Sequence, residues 1–178
     1  TLIADQIRQE VDERADALSK VASHASGVPQ QDLPQLLRQL PVLPALFNGG
    51  IQILDPAGHP LATLYPQAQR QPPLPALSPQ DLARVLHANG AVITTPAFNA
   101  DLQAPTVNMA WPLRSPGGQA IGALVGLTRL DRPNFLSKVI EKRYGQTGGY
   151  VVTDGRSRQI MAATDAGRVM ESLPAPGV

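Results

Sequence analysis

Hydrophobic and polar residues alternate most clearly in the middle of the chain, between Thr106 and Leu130. From Val107 to Leu113 every second residue is apolar, and the run from Ala120 onward is almost entirely apolar or glycine. The turn sequence Ser-Pro-Gly-Gly separates the two runs. This pattern predicts an antiparallel hairpin whose second strand is covered on both faces.

The second strand of this hairpin has one face rich in glycine, where Gly122 and Gly126 leave room for a close neighbour. We expect that neighbour to be a long helix at the start of the chain. Thr1 to Ser26 contains no proline or glycine, and apolar residues recur there at heptad positions, broken by Arg14. The stretch therefore predicts an amphipathic helix on the sheet, and part of its stripe is also suited to a twin helix in a homodimer.

Two shorter elements follow. Asp32 to Leu46 carries leucines at helical spacing, and Pro41 and Pro44 are expected to close this helix near Leu40. The sequence Asp-Pro-Ala-Gly then separates two apolar runs, Ile51 to Leu54 and Pro60 to Tyr65, which is typical of a turn in an antiparallel hairpin.

Proline dominates the next region. Tyr65 to Pro79 predicts a long loop, and Ser78 is expected to cap a helix that reaches His87. Ala91 to Thr95 is predicted to form a short strand, followed by a loop over Pro96 to Pro105. A loop as long as the first one, inside a compact domain, is expected to cover a site or to lack fixed structure.

The last third of the chain begins a second unit. Asp131 is predicted to cap a helix from Pro133 to Tyr144. Gly149 to Thr153 and Ile160 to Ala163 then predict a new hairpin.

The junction Tyr-Gly-Gln-Thr-Gly-Gly-Tyr-Val-Val, from Tyr144 to Val152, follows Asp131 and its helix. It resembles the junction between the two modules of double-Cache sensor domains, which are tandem PAS-like modules on the outer side of bacterial transmembrane receptors. Five antiparallel strands with a helix between the second and third are the layout of a PAS-like module, and a long leading helix distinguishes a Cache sensor.

The resemblance implies an α+β fold in three parts: a long N-terminal helix (1–30), a PAS-like five-stranded antiparallel module (31–132), and a connecting helix with the first hairpin of a truncated second module (133–178). It also implies a periplasmic fragment of an inner-membrane receptor whose membrane spans lie outside this chain. Ala162 to Asp165, Arg168 to Met170 and Leu173 to Gly177 resemble the second module in sensors of diguanylate cyclases. The alternatives are a chemoreceptor and a histidine kinase.

Composition narrows the choice of partners. The chain has 178 residues, a net charge of +1 and no cysteine. Charges of both signs are interspersed, which argues against a nucleic-acid partner, and disulfides are excluded. The three histidines His24, His59 and His87 lack metal-ligand spacing, and no motif for a nucleophile or a dinucleotide is present. We therefore predict no catalytic residue, no metal and no cofactor.

A PAS-like module encloses a cleft between its sheet and its long loop, and an unidentified small molecule is the expected partner there. The residues expected to reach the cleft are Tyr65, Arg70, Asp101, Asn108, Trp111 and Arg129. Each has an alternative role: the aromatic residues in the core, Arg70 and Asp101 in solvent, and Arg129 in a pair with Asp131 or Glu141.

Many double-Cache sensors hold amino acids through an Arg, a Trp and a Tyr after the second strand and an Asp late in the fifth. Here no Trp lies near Arg70, and the strand reads Leu-Val-Gly-Leu from Leu124 to Leu127. An amino-acid ligand is therefore not predicted. A cleft filled by Trp111 and Met109 would favour a ligand-free dimerisation module, and clustered His or carboxylate groups would favour a small enzyme domain.

Overall fold

The computed structural model describes residues 2–66, 72–144, 151–153 and 160–163. The elements in chain order are α1 (Leu2–Ala25), a 3-10 turn (Gln30–Asp32), α2 (Leu33–Arg38), α3 (Val42–Leu46), β1 (Gly50–Leu54), β2 (Pro60–Leu64), α4 (Pro79–Leu86), β3 (Val92–Ile93), β4 (Ala97–Asn99), β5 (Ala104–Arg114), β6 (Ala120–Arg129), α5 (Phe135–Tyr144), β7 (Val151–Thr153) and β8 (Ile160–Ala163). The predicted α+β class and the long leading helix are confirmed. No helix in these ranges is long and apolar enough to cross a membrane.

One antiparallel sheet organises the fold, with strand order β2-β1-β6-β5-β3 and β4 paired to β5. Both predicted hairpins are present, β1 with β2 and β5 with β6. The sheet has six strands where five were predicted, because β4 forms inside the expected loop from Pro96 to Pro105. β3 pairs only with Met109 and Ala110, which leaves the start of β5 free to pair with β4.

One face of the sheet is covered by the first three helices. The C-terminal half of α1 supplies buried apolar residues, and α2 and α3 add more; they pack against the same sheet face. The residues that form this cluster include Leu18, Val21, Leu37, Leu43, Ile51, Ile53, Met109 and Leu124. In the second half of α1, the apolar heptad residues therefore pack mainly against the sheet of the same chain.

Gly126 lies on this helix-covered face, as its alternation with Leu124 requires, but its close neighbour is Phe47 and not α1. A Cβ atom at Gly126 would lie 2.6 Å from the Phe47 ring. The expectation that the glycine face receives a bulky group is correct, and the group is an aromatic ring from the segment after α3.

Prolines affect the second helical region differently from the prediction. α2 ends at Arg38, before the prolines, as expected. A further short helix, α3, then begins directly after Pro41 and contains Pro44. Pro44 lies in the first turn of α3, where a backbone N–H has no partner inside the helix, so proline is tolerated there.

Asn134, and not Asp131, caps α5. The Asn134 Oδ1 atom accepts hydrogen bonds from the backbone N–H groups of Leu136 and Ser137, at 2.9 and 3.2 Å. Asp131 instead accepts hydrogen bonds from the Nε and Nη2 atoms of Arg129 at 3.0 and 2.9 Å, and these bonds hold the pKa of its carboxyl below the usual value. Both carboxylate oxygens of Asp131 are therefore already paired with Arg129, and Asn134 caps the helix.

The last two strands form a separate two-stranded antiparallel sheet, with Val151 opposite Ala163, as predicted. The expected turn from Asp154 to Arg158 and the stretch from Leu173 to Gly177 lie outside the described residues. The three-part division of the chain remains a prediction.

The Phe47 contact generates a stability prediction. Gly126→Leu should lower the free energy of unfolding by roughly 1 to 3 kcal/mol, because the new side chain overlaps the buried Phe47 ring. Thermal and urea unfolding measure this change. Gly117→Leu is the matched control, since the nearest atom to a Cβ there is the Ser115 Oγ at 3.8 Å. Equal stability of the two variants would contradict the packing argument.

Candidate functional site

The sheet face opposite α1 carries the candidate site. Gln52, Val125 and Ala110 lie on this face because they are paired across β1, β6 and β5. Asn108 lies two residues before Ala110, so its side chain is on the same face. A second apolar cluster joins this face to α4; its members include Leu54, Tyr65, Leu77, Leu82, Val85, Leu102, Ala123 and Leu127.

Residues 72–78, which we call the strap, cross this face before α4, and Gln52 holds their backbone. The fully buried Gln52 side chain donates from Nε2 to the Leu74 carbonyl at 3.0 Å and to the Thr63 Oγ1 at 3.1 Å. Its Oε1 accepts from the Ala76 N–H at 2.7 Å. Gln52 was not predicted as a site residue, although its alternation with Ile51 and Ile53 already puts a polar group on a covered face.

Asp101 and Asn108 complete the attachment of the strap. The Leu74 N–H donates to Asp101 Oδ2 at 2.8 Å, and Asn108 Nδ2 donates to the Ala76 carbonyl at 3.0 Å. Asp101 and Asn108 are 4% and 8% exposed. Three buried polar side chains, from β1, the β4–β5 connection and β5, therefore meet one short backbone segment.

Three oxygen atoms at this point have no hydrogen-bond partner among the residues that the structure describes. They are Asp101 Oδ1, Asn108 Oδ1 and Tyr65 Oη. Burial, and secondarily the charge of Asp101, raises the pKa of the Tyr65 phenol well above its usual value, so its hydroxyl is neutral over the physiological range. A carboxylate oxygen, an amide oxygen and a hydroxyl together offer two acceptors and one group that can accept or donate. This set suits a ligand that donates several hydrogen bonds.

The other predicted site residues lie elsewhere. Trp111 is paired with Leu124 and packs on the helix-covered face, so its side chain lies on the opposite face of the sheet from that of Asn108. The guanidinium of Arg129 is engaged by Asp131, the alternative role given to it above. Arg70 lies outside the described residues, and its role stays a prediction.

Trp111 instead lines an open groove of about 550 Å³ at the C-terminal end of α1. Arg114 also lines this groove, but its guanidinium donates to the Leu86 and Ala88 carbonyls at the end of α4 and to the Gly118 carbonyl. These donors are already used to join the β5–β6 hairpin to α4. The groove therefore offers a ligand fewer unpaired polar atoms than the residues beneath the strap do.

Within the described part of the chain, no group of three or more His, Asp, Glu or Cys side chains could hold a metal ion. The buried carboxylate of Asp101 has no ion-pair partner there. The arrangement at the strap can bind and orient a ligand, and it presents no nucleophile beside a general base.

No protein-family model and no curated protein sequence matches the chain. Among solved structures, the ligand-binding domain of the Pseudomonas fluorescens chemoreceptor CtaA in complex with L-serine is 21% identical, with a TM-score of 0.75 over 97% of this chain and 72% of that one. The ligand-binding domain of the Pseudomonas aeruginosa amino-acid chemoreceptor PctC in complex with GABA is 22% identical, with a TM-score of 0.73 over 99% and 80%. That of PctB from the same organism, with L-Gln, is 20% identical, with a TM-score of 0.73 over 97% and 68%. The chain therefore has the fold of bacterial chemoreceptor ligand-binding domains, in agreement with the expected Cache-type sensor fold.

The strap contacts predict a local effect of Gln52. Gln52→Leu should speed hydrogen exchange at the Ala76 amide and cost about 1 to 3 kcal/mol of stability, because the Leu74 carbonyl and the Ala76 N–H both lose a buried partner. Hydrogen exchange read by mass spectrometry on strap peptides measures it. Gln80→Leu, at an exposed position of α4, is the control and should change neither quantity.

The buried Tyr65 phenol predicts a pH dependence. Above about pH 10 a tyrosine in the unfolded chain loses its proton, whereas folded Tyr65 keeps it, so the folded state is progressively disfavoured as pH rises towards the pKa in the folded state. Tyr65→Phe should reduce this loss by up to about 1.4 kcal/mol per pH unit. Urea unfolding between pH 8 and pH 11, where pH 8 is the internal control, measures the difference. Parallel curves for the two proteins over the whole range would show that the phenol is not buried.

Proposed function

We propose that the chain is a non-catalytic, extracytoplasmic sensor domain that binds a small molecule through a cationic amino group beneath the strap. The observation that carries this proposal is the buried carboxylate of Asp101, of which one oxygen accepts from the Leu74 N–H and the other has no partner among the described residues. A buried charge without a partner costs several kcal/mol, and a bound ammonium group removes that cost. The Asn108 Oδ1 and Tyr65 Oη atoms supply further contacts for the same group.

The similar structures support this class of ligand. Those of CtaA, PctC and PctB hold L-serine, GABA and L-Gln, and each of these molecules carries an amino group. Double-Cache sensors commonly use an Asp late in the fifth strand for that group, and this chain has Leu127 in that region. Asp101 reaches the same face from the β4–β5 connection. An amino-acid-like ligand, which the strand sequence alone argued against, thus fits the proposed site.

The opposite end of such a ligand needs a partner of its own. Arg70 precedes the strap by two residues in the sequence and is proposed to meet an acidic end. A ligand without an acidic group would be indifferent to Arg70→Ala. Loss of affinity in that variant, for amino acids but not for simple amines, would separate the two ends of the ligand.

Signal output is proposed to run through α1 and α5. α1 packs along β5, and α5 is the next element after β6, so both helices are connected to the strands that form the site.

The similar structures come from chemoreceptors, which favours a chemoreceptor output over the diguanylate cyclase suggested by the C-terminal sequence. A periplasmic location and a homodimer through α1 belong to the same proposal; Leu2 on α1 is 65% exposed.

The proposal predicts the effect of removing one charge. A thermal-shift screen of amino acids, amines and organic acids identifies a ligand, and isothermal titration then measures its Kd. Asp101→Asn should raise the Kd by at least about 30-fold, equivalent to about 2 kcal/mol, because the amide can still accept from the Leu74 N–H but no longer neutralises an ammonium group.

Asp12→Asn is the matched control, since Asp12 lies exposed on α1 and its substitution should leave the Kd unchanged. Ligands that all lack an amino group, or equal affinity in wild type and Asp101→Asn, would contradict the assignment. Turnover of any compound would contradict the non-catalytic claim.

A further inference from the structure

We propose a second ligand site, for a neutral apolar molecule, on the opposite side of the sheet from Asp101. A cavity of about 180 Å³ lies between α1, the helix-covered face of the sheet and α5. Asn108, Thr128 and Arg14 line part of it, and most of its lining is apolar, including Ile7, Val11, Phe47, Met109, Phe135 and Leu136. These six apolar residues come from α1, α5, β5 and the segment after α3.

Arg14, the charged side chain among the described residues that line this cavity, already has partners. Its Nη1 atom donates to the Glu10 carboxylate at 2.7 Å and to the Glu10 carbonyl at 3.0 Å. Its Nε atom donates to the Leu46 carbonyl at 3.1 Å, and the guanidinium lies over the Phe135 ring at 4.2 Å. With Glu10 on the guanidinium, an added anion would meet a like charge as well as Arg14. The cavity is therefore suited to an uncharged molecule.

The volume sets the size of the occupant. An apolar cavity of about 150 Å³ in a folded protein stays dry and takes up benzene or xenon. The present cavity is of similar size, so we expect an occupant of benzene size, with one aromatic ring or a short branched hydrocarbon. A molecule bound there would touch α1 through Ile7 and Val11 and α5 through Phe135 and Leu136.

The position of this site separates it from the amine site. Met109 and Asn108 are adjacent on β5 and their side chains project to opposite faces of the sheet, so the two ligands lie on different faces, although Asn108 also lines this cavity. An occupant between α1 and α5 would alter the packing of the helices proposed to carry the signal. The second site therefore offers a way for an apolar compound to modify the response without competing for Asp101.

Benzene is the probe for the test, and the Met109 methyl group is the reporter. In protein labelled with 13C at the methionine methyls, benzene should shift the Met109 signal saturably, with intermolecular nuclear Overhauser effects to Met109 and Ile7. Val11→Phe fills the cavity and should abolish the shift. Val42→Phe, at a position that is 49% exposed on α3, is the matched control and should respond as wild type does.

Asp101→Asn should bind benzene as wild type does, so failure of the amine site and failure of this site are distinguishable. The wild-type Overhauser effects keep the test decisive if Val11→Phe does not fold. Absence of a saturable shift in wild type, or an equal shift in folded Val11→Phe, would overturn the proposal. A Met109 signal that ignores benzene and moves with protein concentration would show that a second copy of the chain covers the cavity, which would overturn it as well.

Discussion

The half-paired carboxylate of Asp101 is the constraint on which the site depends. One of its oxygens fixes the strap through the Leu74 N–H, and the other has no partner in the described part of the chain. Gln52 and Asn108 hold the neighbouring backbone groups, so the strap cannot move aside without exposing several buried polar atoms. Asp101 therefore presents one buried oxygen toward the proposed site while its other oxygen fixes the strap.

The two faces of the sheet contact different elements of the domain. The face with Asn108 meets the strap and α4, and the face with Met109 meets α1 and Phe47. Arg14 joins α1 to the end of α3 and to Phe135 of α5 through its contacts. A ligand shifts a receptor only through its different affinity for two arrangements. In this fold α1 packs on β5 and also contacts α5, so a change in β5 would reach α5 through α1.

The sequence pattern was sufficient for α1, α4, α5 and both main hairpins, because helical periodicity, alternation and turn residues are local signals, whereas α3 was not predicted. β4 was not predicted, because it forms only where the start of β5 has no hydrogen-bonded contact with β3, and the sequence of β4 does not report this. At the site, alternation from Val107 to Leu113 already placed Trp111 opposite Asn108, so the two could not share a cleft. The joint contact of Gln52 and Asp101 with the strap brings together residues about 50 positions apart, and no local pattern reports it.

The most direct measurement is a crystal structure of this domain with the tightest amino-bearing ligand from a screen. The account predicts that the ligand nitrogen lies within hydrogen-bond distance, about 3.2 Å or less, of Asp101 Oδ1, with the Tyr65 hydroxyl or the Asn108 Oδ1 as a second partner. The strap would still be held by Gln52. A ligand whose amino group points to solvent, or one bound in the groove beside Trp111 with Asp101 unpaired, would contradict the central claim.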